Sequence, residues 1–306
     1  MPLFKKIKTR TTVKKDGATK KLGKKIKKDI NMEAYRLILL FGIGVELFFM
    51  LGSNGISEAS AQALNAGNIE ILVIYDNYSY RSDLETGWGF SCLIRGMEKT
   101  ILFDTGGSGA KLMRNMGKMG VSPEEVDAVI LSHIHGDHTG GLEAFLQKNS
   151  DVAVYLLDSF PGRFKKAVKS YGANVVSVQG PLQICQDVFS TGEMGTFPME
   201  QALVLRSASG LIILTGCAHP GIVKVVEKAK DLFEKEVLLV MGGFHLMGVS
   251  MDYMKRILVR YRDIGVRYVG PCHCTGETQI KAFEKAYGEH FLRVGVGKVI
   301  RIRDLK

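Results

Sequence analysis

From residue 69 onward the apolar residues fall into short runs separated by Gly-containing turns. Runs at 69–75, 90–95 and 100–104 are continuous or alternate with period two, as consecutive strands do. Residues 108–119 read weakly as helix, and so do 123–126, with Ser122 as N-cap and Pro123 in the first turn. A β-branched run at 127–131 predicts a buried strand, followed by a helical pattern through Leu142, Phe145 and Leu146. Strands at 152–157 and 174–178 flank a helix around Phe164, Val168 and Tyr171. The second half repeats the logic. A hairpin turns around Ser209-Gly210 between strands 202–207 and 211–215. Helix 222–234 follows, with Ile222, Val225, Val226, Ala229 and Phe233 on one face. Strand 237–241, helix 251–264, strand 266–269, helix 277–287 and a final strand 292–302 complete the pattern. Two sheet-forming halves, each decorated with helices, predict a four-layer α/β/β/α sandwich with its strand-end loops along one edge.

The first part of the chain follows a different pattern. Residues 1–30 carry twelve Lys or Arg against Asp16 and Asp29, which accounts for the whole formal charge of +10. Residues 31–306 are therefore balanced, and the basic character says nothing about the globular part. Lacking apolar periodicity, residues 1–35 are expected to be a disordered tail. Leu37 to Leu51 is almost continuously apolar, broken by Glu46, with the small string Ala59-Ser60-Ala61 after it. Basic segment, apolar core and small residues are the order of a cleaved secretory leader or an uncleaved anchor over 36–66. Either places the domain at 67–306 outside the cytoplasm, with the basic end available to anionic lipid. The other reading is a helix of a cytoplasmic protein. Nothing supplies an added nucleic-acid domain. Five cysteines, an odd number, argue against a disulfide framework.

Chemistry concentrates where the 127–131 strand ends, in Ser-His-Ile-His-Gly-Asp-His-Thr-Gly. His133 and His135, two apart in an extended segment, project to the same side and can share one ion. Asp137 and His138, beyond the Gly136 turn, point elsewhere and can serve a second. Imidazole and carboxylate are the ligand set of zinc and similar ions. His219, His245 and His273 each follow a predicted strand, where loops carry functional groups on a rigid scaffold. His290, past a helix end, is expected at the surface. Asp104, at the end of another strand, is placed behind the motif loop as its orienting carboxylate.

This stretch resembles the signature of the metallo-β-lactamase superfamily. The phrases Leu102-Phe103-Asp104-Thr105-Gly106, Thr215-Gly216-Cys217-Ala218-His219-Pro220-Gly221, Gly242-Gly243-Phe244-His245-Leu246 and Pro271-Cys272-His273-Cys274-Thr275-Gly276 resemble the branch labelled 7,8-dihydropterin-6-methyl-4-(β-D-ribofuranosyl)aminobenzene 5′-phosphate synthase. The likeness runs from about Ile69 to Ile302 and implies the same sandwich fold. It also implies two divalent metal ions, with zinc the expected one. His133, His135 and a third His, assigned to His219, would hold the first. Asp137, His138 and a last His, assigned to His273, would hold the second. Cys217 stands about where the family has a bridging Asp; its thiolate either ligates directly, at about 2.3 Å for zinc, or stands behind the ligands. His245 is left to contact substrate or move protons, and Asp137 to orient the nucleophile. Oxidoreductases of the superfamily carry Glu at the position of His135, which favours hydrolysis.

The expected activity is metal-dependent hydrolysis of an ester or phosphoester-type small molecule by an activated water. Two alternatives stay open: the dihydropterin-related synthase reaction of the branch, and a membrane-tethered metal-binding protein without catalysis.

Overall fold

The computed structural model describes residues 69–305, which form two sheets that share a core. The first sheet contains β1 (Glu70–Tyr75), β2 (Ser91–Arg95), β3 (Ile101–Phe103), β4 (Ala128–Ile130), β5 (Ala153–Leu157), β6 (Asn174–Val178) and, from the C-terminal end, β13 (Val299–Arg301). Their order is β13-β1-β2-β3-β4-β5-β6. The second contains β7 (Leu182–Cys185), β8 (Val188–Ser190), β9 (Leu203–Ser207), β10 (Gly210–Thr215), β11 (Val237–Gly243) and β12 (Tyr268–Cys272), in the order β12-β11-β10-β9-β8-β7.

Side-chain alternation decides how the layers stack. On β9 and β10, Leu203, Leu205, Ile212 and Leu214 join the core built on the first sheet. The intervening Val204, Leu211 and Ile213 face a second core. A slip of one residue in register would exchange the two sets, so burial on both faces fixes the pairing. The helices complete the layers. Among them, α1 (Gly109–Lys118), α2 (Gly136–Thr139), α3 (Leu142–Leu146) and α4 (Gly162–Ser170) belong to the first half. Leu112, Met116, Phe145 and Val168 anchor α1, α3 and α4 in the first core. In the second half come α5 (Ile222–Phe233), α6 (Met251–Ile264) and α7 (Glu277–Tyr287). They bring Ile222, Val225, Met254, Ile257, Tyr261 and Phe283 to the second core. Full burial of an aliphatic side chain of this kind contributes about 1.5–3 kcal/mol relative to leaving it exposed. The four-layer α/β/β/α expectation is met.

Local signals explain where elements stop. At α6 the Ser250 side chain accepts from the Tyr253 N–H at the start, and Gly265, at φ 85°, ends the helix in the left-handed region. The expected strand at 292–302 shortens to Val299–Arg301. Before it, residues 291 and 296 make only single bridges, to Val269 and Ser79, and Gly295 brings its backbone against residues 78 and 79, where a Cβ would lie 2.8 Å from the Tyr78 carbonyl oxygen. The hairpin of β7 and β8 was not legible: its strands are three and four residues long and turn at Asp187, a non-glycine at φ 62°. Residues 123–125 form one 3-10 turn.

Strand direction positions the chemistry. β3, β4, β5 and β6 run parallel, and so do β10, β11 and β12. Parallel strands end at a common edge, where crossover loops carry ligands. The tail expected over 1–35 and the leader or anchor expected over 36–66 lie outside the described residues. Among the described residues no helix is long and apolar enough to cross a membrane.

Candidate metal centre

Five strand ends meet at this edge. β3 delivers Asp104, β4 leads into Ser132 to His138, β10 into Cys217 to His219, β11 into His245, and β12 into His273. Several of these turns hold non-glycine residues at positive φ: Asp104 (56°), Ala218 (58°), His245 (52°) and His273 (47°). Such conformations cost of order 1–3 kcal/mol each and persist only where surrounding structure over-determines them. Glycine supplies the room beside them. A Cβ on Gly243 would lie 2.3 Å from the Gly216 carbonyl oxygen and 2.7 Å from Cys274 Sγ.

Four of the imidazoles, those of His133, His138, His219 and His273, share one design, in which Nδ1 is occupied from behind and Nε2 is left for the centre. Buried Asp104 organises two of them. Its Oδ2 accepts from His138 Nδ1 at 2.7 Å and from the Ser132 hydroxyl at 2.7 Å, while Oδ1 accepts from the Ser132 N–H at 2.7 Å. Because the Ser132 proton is committed to Asp104, its oxygen accepts from His133 Nδ1, at 2.9 Å. His219 Nδ1 lies 2.8 Å from Oε2 of Glu200, and His273 Nδ1 lies 2.8 Å from Oδ1 of Asn77. Fixing Nδ1–H sets the tautomer and directs the Nε2 lone pair forward. His135, at the exposed mouth, brings Nδ1 to 3.2 Å from His133 Nε2.

Electrostatics keeps His133 and His138 neutral, whereas at His273 burial is outweighed by the Asp137 carboxylate beside it and the pKa is raised. Burial, with help from neighbouring imidazoles, pushes His133 down to about 3 and His138 down to about 4. Burial also pushes Asp104 up to about 7, and because the His138 ring is neutral the bond between them is a hydrogen bond and not an ion pair. Asp137 is the reverse case. Burial opposes its ionisation, but the His273 and His138 rings outweigh that and hold it well below the usual carboxylate range. Neutral imidazoles facing an ionised carboxylate are what cation binding requires.

The forward atoms converge in overlapping sets. His133, Cys217 and His219 form one; Asp137, His138, Cys217 and His273 form another; His133, His135 and Asp137 form a third. Within each, the ligand-type atoms lie within 4.8 Å of one another. Asp137, His138 and His273, expected at the second ion, fall in one set; His135 and His219, expected with His133 at the first, each join His133 in a different set. Asp137 differs from expectation in reaching both sets. Cys217 stands between them, with Sγ 3.2 Å from His138 Nε2. His273 Nε2 is buried without a hydrogen-bond partner; Asp137 Oδ2 lies 3.3 Å away but out of line. An orphaned imidazole nitrogen beside a carboxylate, a thiol and a second imidazole fits a divalent cation of the zinc type. His245 is exposed, its ring 4.5 Å from that of His219, and it shares a further set with Cys217 and Cys274. His290 is at the surface.

Sequence reasoning missed the residues behind the rings. Ser132 was adjacent to the motif but silent, and Glu200 sits in an irregular segment with no pattern around it. Asn77 was the findable one, since it follows β1 as the histidines follow their strands. Its side chain grips His273 twice, accepting from the ring and donating Nδ2 to the His273 carbonyl at 3.0 Å. Replacing Asn77 by alanine is expected to weaken metal affinity about 10- to 100-fold, the usual loss for an outer partner of a ligating imidazole. The readout is fluorescence of Trp88, the chain's one tryptophan, whose ring centroid is 4.9 Å from that of His273. Unchanged affinity in a chelator competition would refute the clamp.

The model of the metallo-beta-lactamase superfamily matches residues 89–215, which takes in the His133–His138 motif and stops before Cys217. A 7,8-dihydropterin-6-methyl-4-(beta-D-ribofuranosyl)-aminobenzene-5'-phosphate synthase of Methanocaldococcus jannaschii is 27% identical over 284 residues, covering 76% of this chain and 97% of its own. An uncharacterized protein of the same organism is 30% identical over 263 residues, with 76% and 100% covered. A crystal structure of a metal-dependent hydrolase of the beta-lactamase superfamily superposes with a TM-score of 0.64 at 27% identity, covering 76% of this chain and 98% of that one.

Proposed function

This chain belongs to the metallo-beta-lactamase superfamily, and from that premise we propose that it is a metal-dependent hydrolase of an ester or phosphoester-type small molecule. The observation that carries the reading is the common tethering of His133, His138, His219 and His273, which aims four Nε2 atoms at one centre with Asp137 and Cys217 between them. In this reading His133, His135 and His219 hold one divalent ion, and Asp137, His138 and His273 hold the other. The ions, when bound, supply Lewis acidity to a water and to the substrate's oxygen. The remaining work falls to the chain. Asp137, ionised and shared between both sets, accepts a hydrogen bond from the attacking water and orients it. His245, exposed at the mouth, passes a proton to the leaving oxygen. Its pKa is raised, chiefly by the Cys274 thiol beside it, so more of it carries a proton near neutrality than an ordinary imidazole would.

One observation favours a second reading: the synthase of Methanocaldococcus jannaschii aligns over 97% of its own length. Its dihydropterin-related reaction is therefore the other candidate activity. The apolar run within 36–66 extends the proposal to an anchored or exported enzyme; full-length protein that stays in the supernatant after membrane pelleting, with its leader intact, would refute that extension.

Elemental analysis of the purified protein, followed by a panel of nitrophenyl esters and phosphodiesters, tests the function. Close to two equivalents of zinc with ester turnover is the expected result. One equivalent with turnover would place Cys217 in an asymmetric site. Bound metal without turnover would leave the tethered metal-binding protein ahead, and absence of both would overturn the hydrolase.

A further inference from the structure

Next to the metal centre, between the starts of α5 and α6, lies a cavity of about 440 Å³. That is the size range of small-molecule pockets, roughly 300–1,000 Å³. His219 and His245 form its inner end, buried Phe244 and Leu246 give it apolar surface, and Tyr253 and Arg256 stand at its outer end. No Asp or Glu lines it, and Arg256 is the one lining residue with a permanent charge, a positive one.

Arg256 differs from Lys255 and Arg260 on the same helix. Lys255 lies 2.9 Å from Asp252, and Arg260 pairs with Glu227 and, at 3.5 Å, with Asp263. Arg256 has no carboxylate within ion-pair distance among the described residues; its guanidinium lies over the Tyr253 ring, 5.2 Å from the centroid. Stacking on an aromatic face pre-organises a planar fork of donors, which suits two-point binding of an oxyanion. The geometry points to a substrate-anchoring subsite in which Arg256 binds the terminal phosphate or carboxylate of a small molecule. The molecule's apolar body lies on Phe244 and Leu246, and its reactive bond reaches the His219–His245 end. Calling the ligand a substrate rests on the hydrolase reading; the binding of an oxyanion does not.

Calorimetric titration of the purified, metal-loaded protein with phenyl phosphate, benzoate and benzyl alcohol tests this. One or both anions are expected to bind, benzyl alcohol to bind more weakly, and Arg256→Ala to weaken anion binding about tenfold, the loss of roughly one charge-assisted hydrogen bond. Lys255→Ala, whose charge is already taken by Asp252, should change nothing. The anion that loses more in Arg256→Ala identifies the group as phosphate or carboxylate. Equal affinity in the native protein and Arg256→Ala overturns the subsite, as does benzyl alcohol binding as tightly as both anions, or no binding of either anion. Ester turnover is scored separately. Arg256-dependent binding without turnover on any ester refutes the hydrolase and keeps the subsite; turnover with Arg256-independent binding does the reverse.

Discussion

Replacing His138 by alanine is expected to lower kcat/KM for any ester the native protein hydrolyses by more than about 100-fold, the upper end of what losing an outer-shell partner costs a metal site. It should also remove about one equivalent of bound metal. His138 is the point where the framework and the centre meet. Its ring is fully buried, with Nδ1 on Asp104 at 2.7 Å and Nε2 3.2 Å from Cys217 Sγ and 3.6 Å from Asp137 Oδ2. Deleting it opens a gap among the forward atoms and leaves Asp104 Oδ2 with the Ser132 hydroxyl alone. Loss of one net hydrogen bond costs about 0.5–1.5 kcal/mol, which urea unfolding would resolve. His290→Ala, at an exposed ring, is the comparison and should match the native protein in metal content and turnover. A His138→Ala protein that keeps both metal equivalents and full turnover would remove this residue from the mechanism and with it the second ion position.

The contrast between what the sequence revealed and what it hid follows from periodicity. Strands and helices that bury a face write that face into the chain, so α6 and α7 were readable to the residue, from Met251 to Ile264 and from Glu277 to Tyr287. The β7–β8 hairpin is too short to show a period, and the strand at 292–302 looked continuous because Gly295 carries no mark of the backbone pressed against it. The forward residues were legible by type, since histidines beyond apolar runs are rare and chemically specific. The groups behind them were not. Serine, asparagine and glutamate are common on loops, and their value here comes from tertiary contacts: Asn77 and His273 are 196 residues apart in the chain, and Asp104 and His138 are 34 apart. Sequence spacing could group Asp137 with His138, but only the fold places its carboxylate within reach of both imidazole sets.

Glu200 carries the other large expected effect, and it is one of stability. The carboxylate is almost fully buried and accepts four hydrogen bonds from one turn. Oε1 receives the N–H groups of Cys217 and Ala218, both at 2.8 Å; Oε2 receives the His219 N–H at 2.9 Å and His219 Nδ1 at 2.8 Å. Three consecutive backbone donors aimed at one anion explain how Ala218 is held at φ 58° and why Cys217 and His219 face the centre together. Glu200→Gln keeps the shape but turns an NH₂ group toward donors and removes the charge. A hydrogen bond to a charged group contributes about 1.5–3 kcal/mol, and a destabilisation of at least that order is expected near neutrality. The pH dependence separates charge from shape. Burial opposes ionisation of Glu200, but the hydrogen bonds from the His219 ring and the backbone donors outweigh it, so the folded pKa lies far below that of the unfolded chain. A depressed carboxylate stabilises fully above its unfolded pKa, about 4.3, and loses that contribution as pH falls toward the folded value. The native protein's advantage over Glu200→Gln should therefore be flat from pH 5 to 8 and shrink below about pH 4. Urea unfolding in the presence of chelator, so that bound metal does not contribute, reads this difference directly. An advantage that stays constant down to pH 3 would assign the effect to packing, and the turn that presents Cys217 and His219 would then owe its shape to sterics instead of to a buried charge.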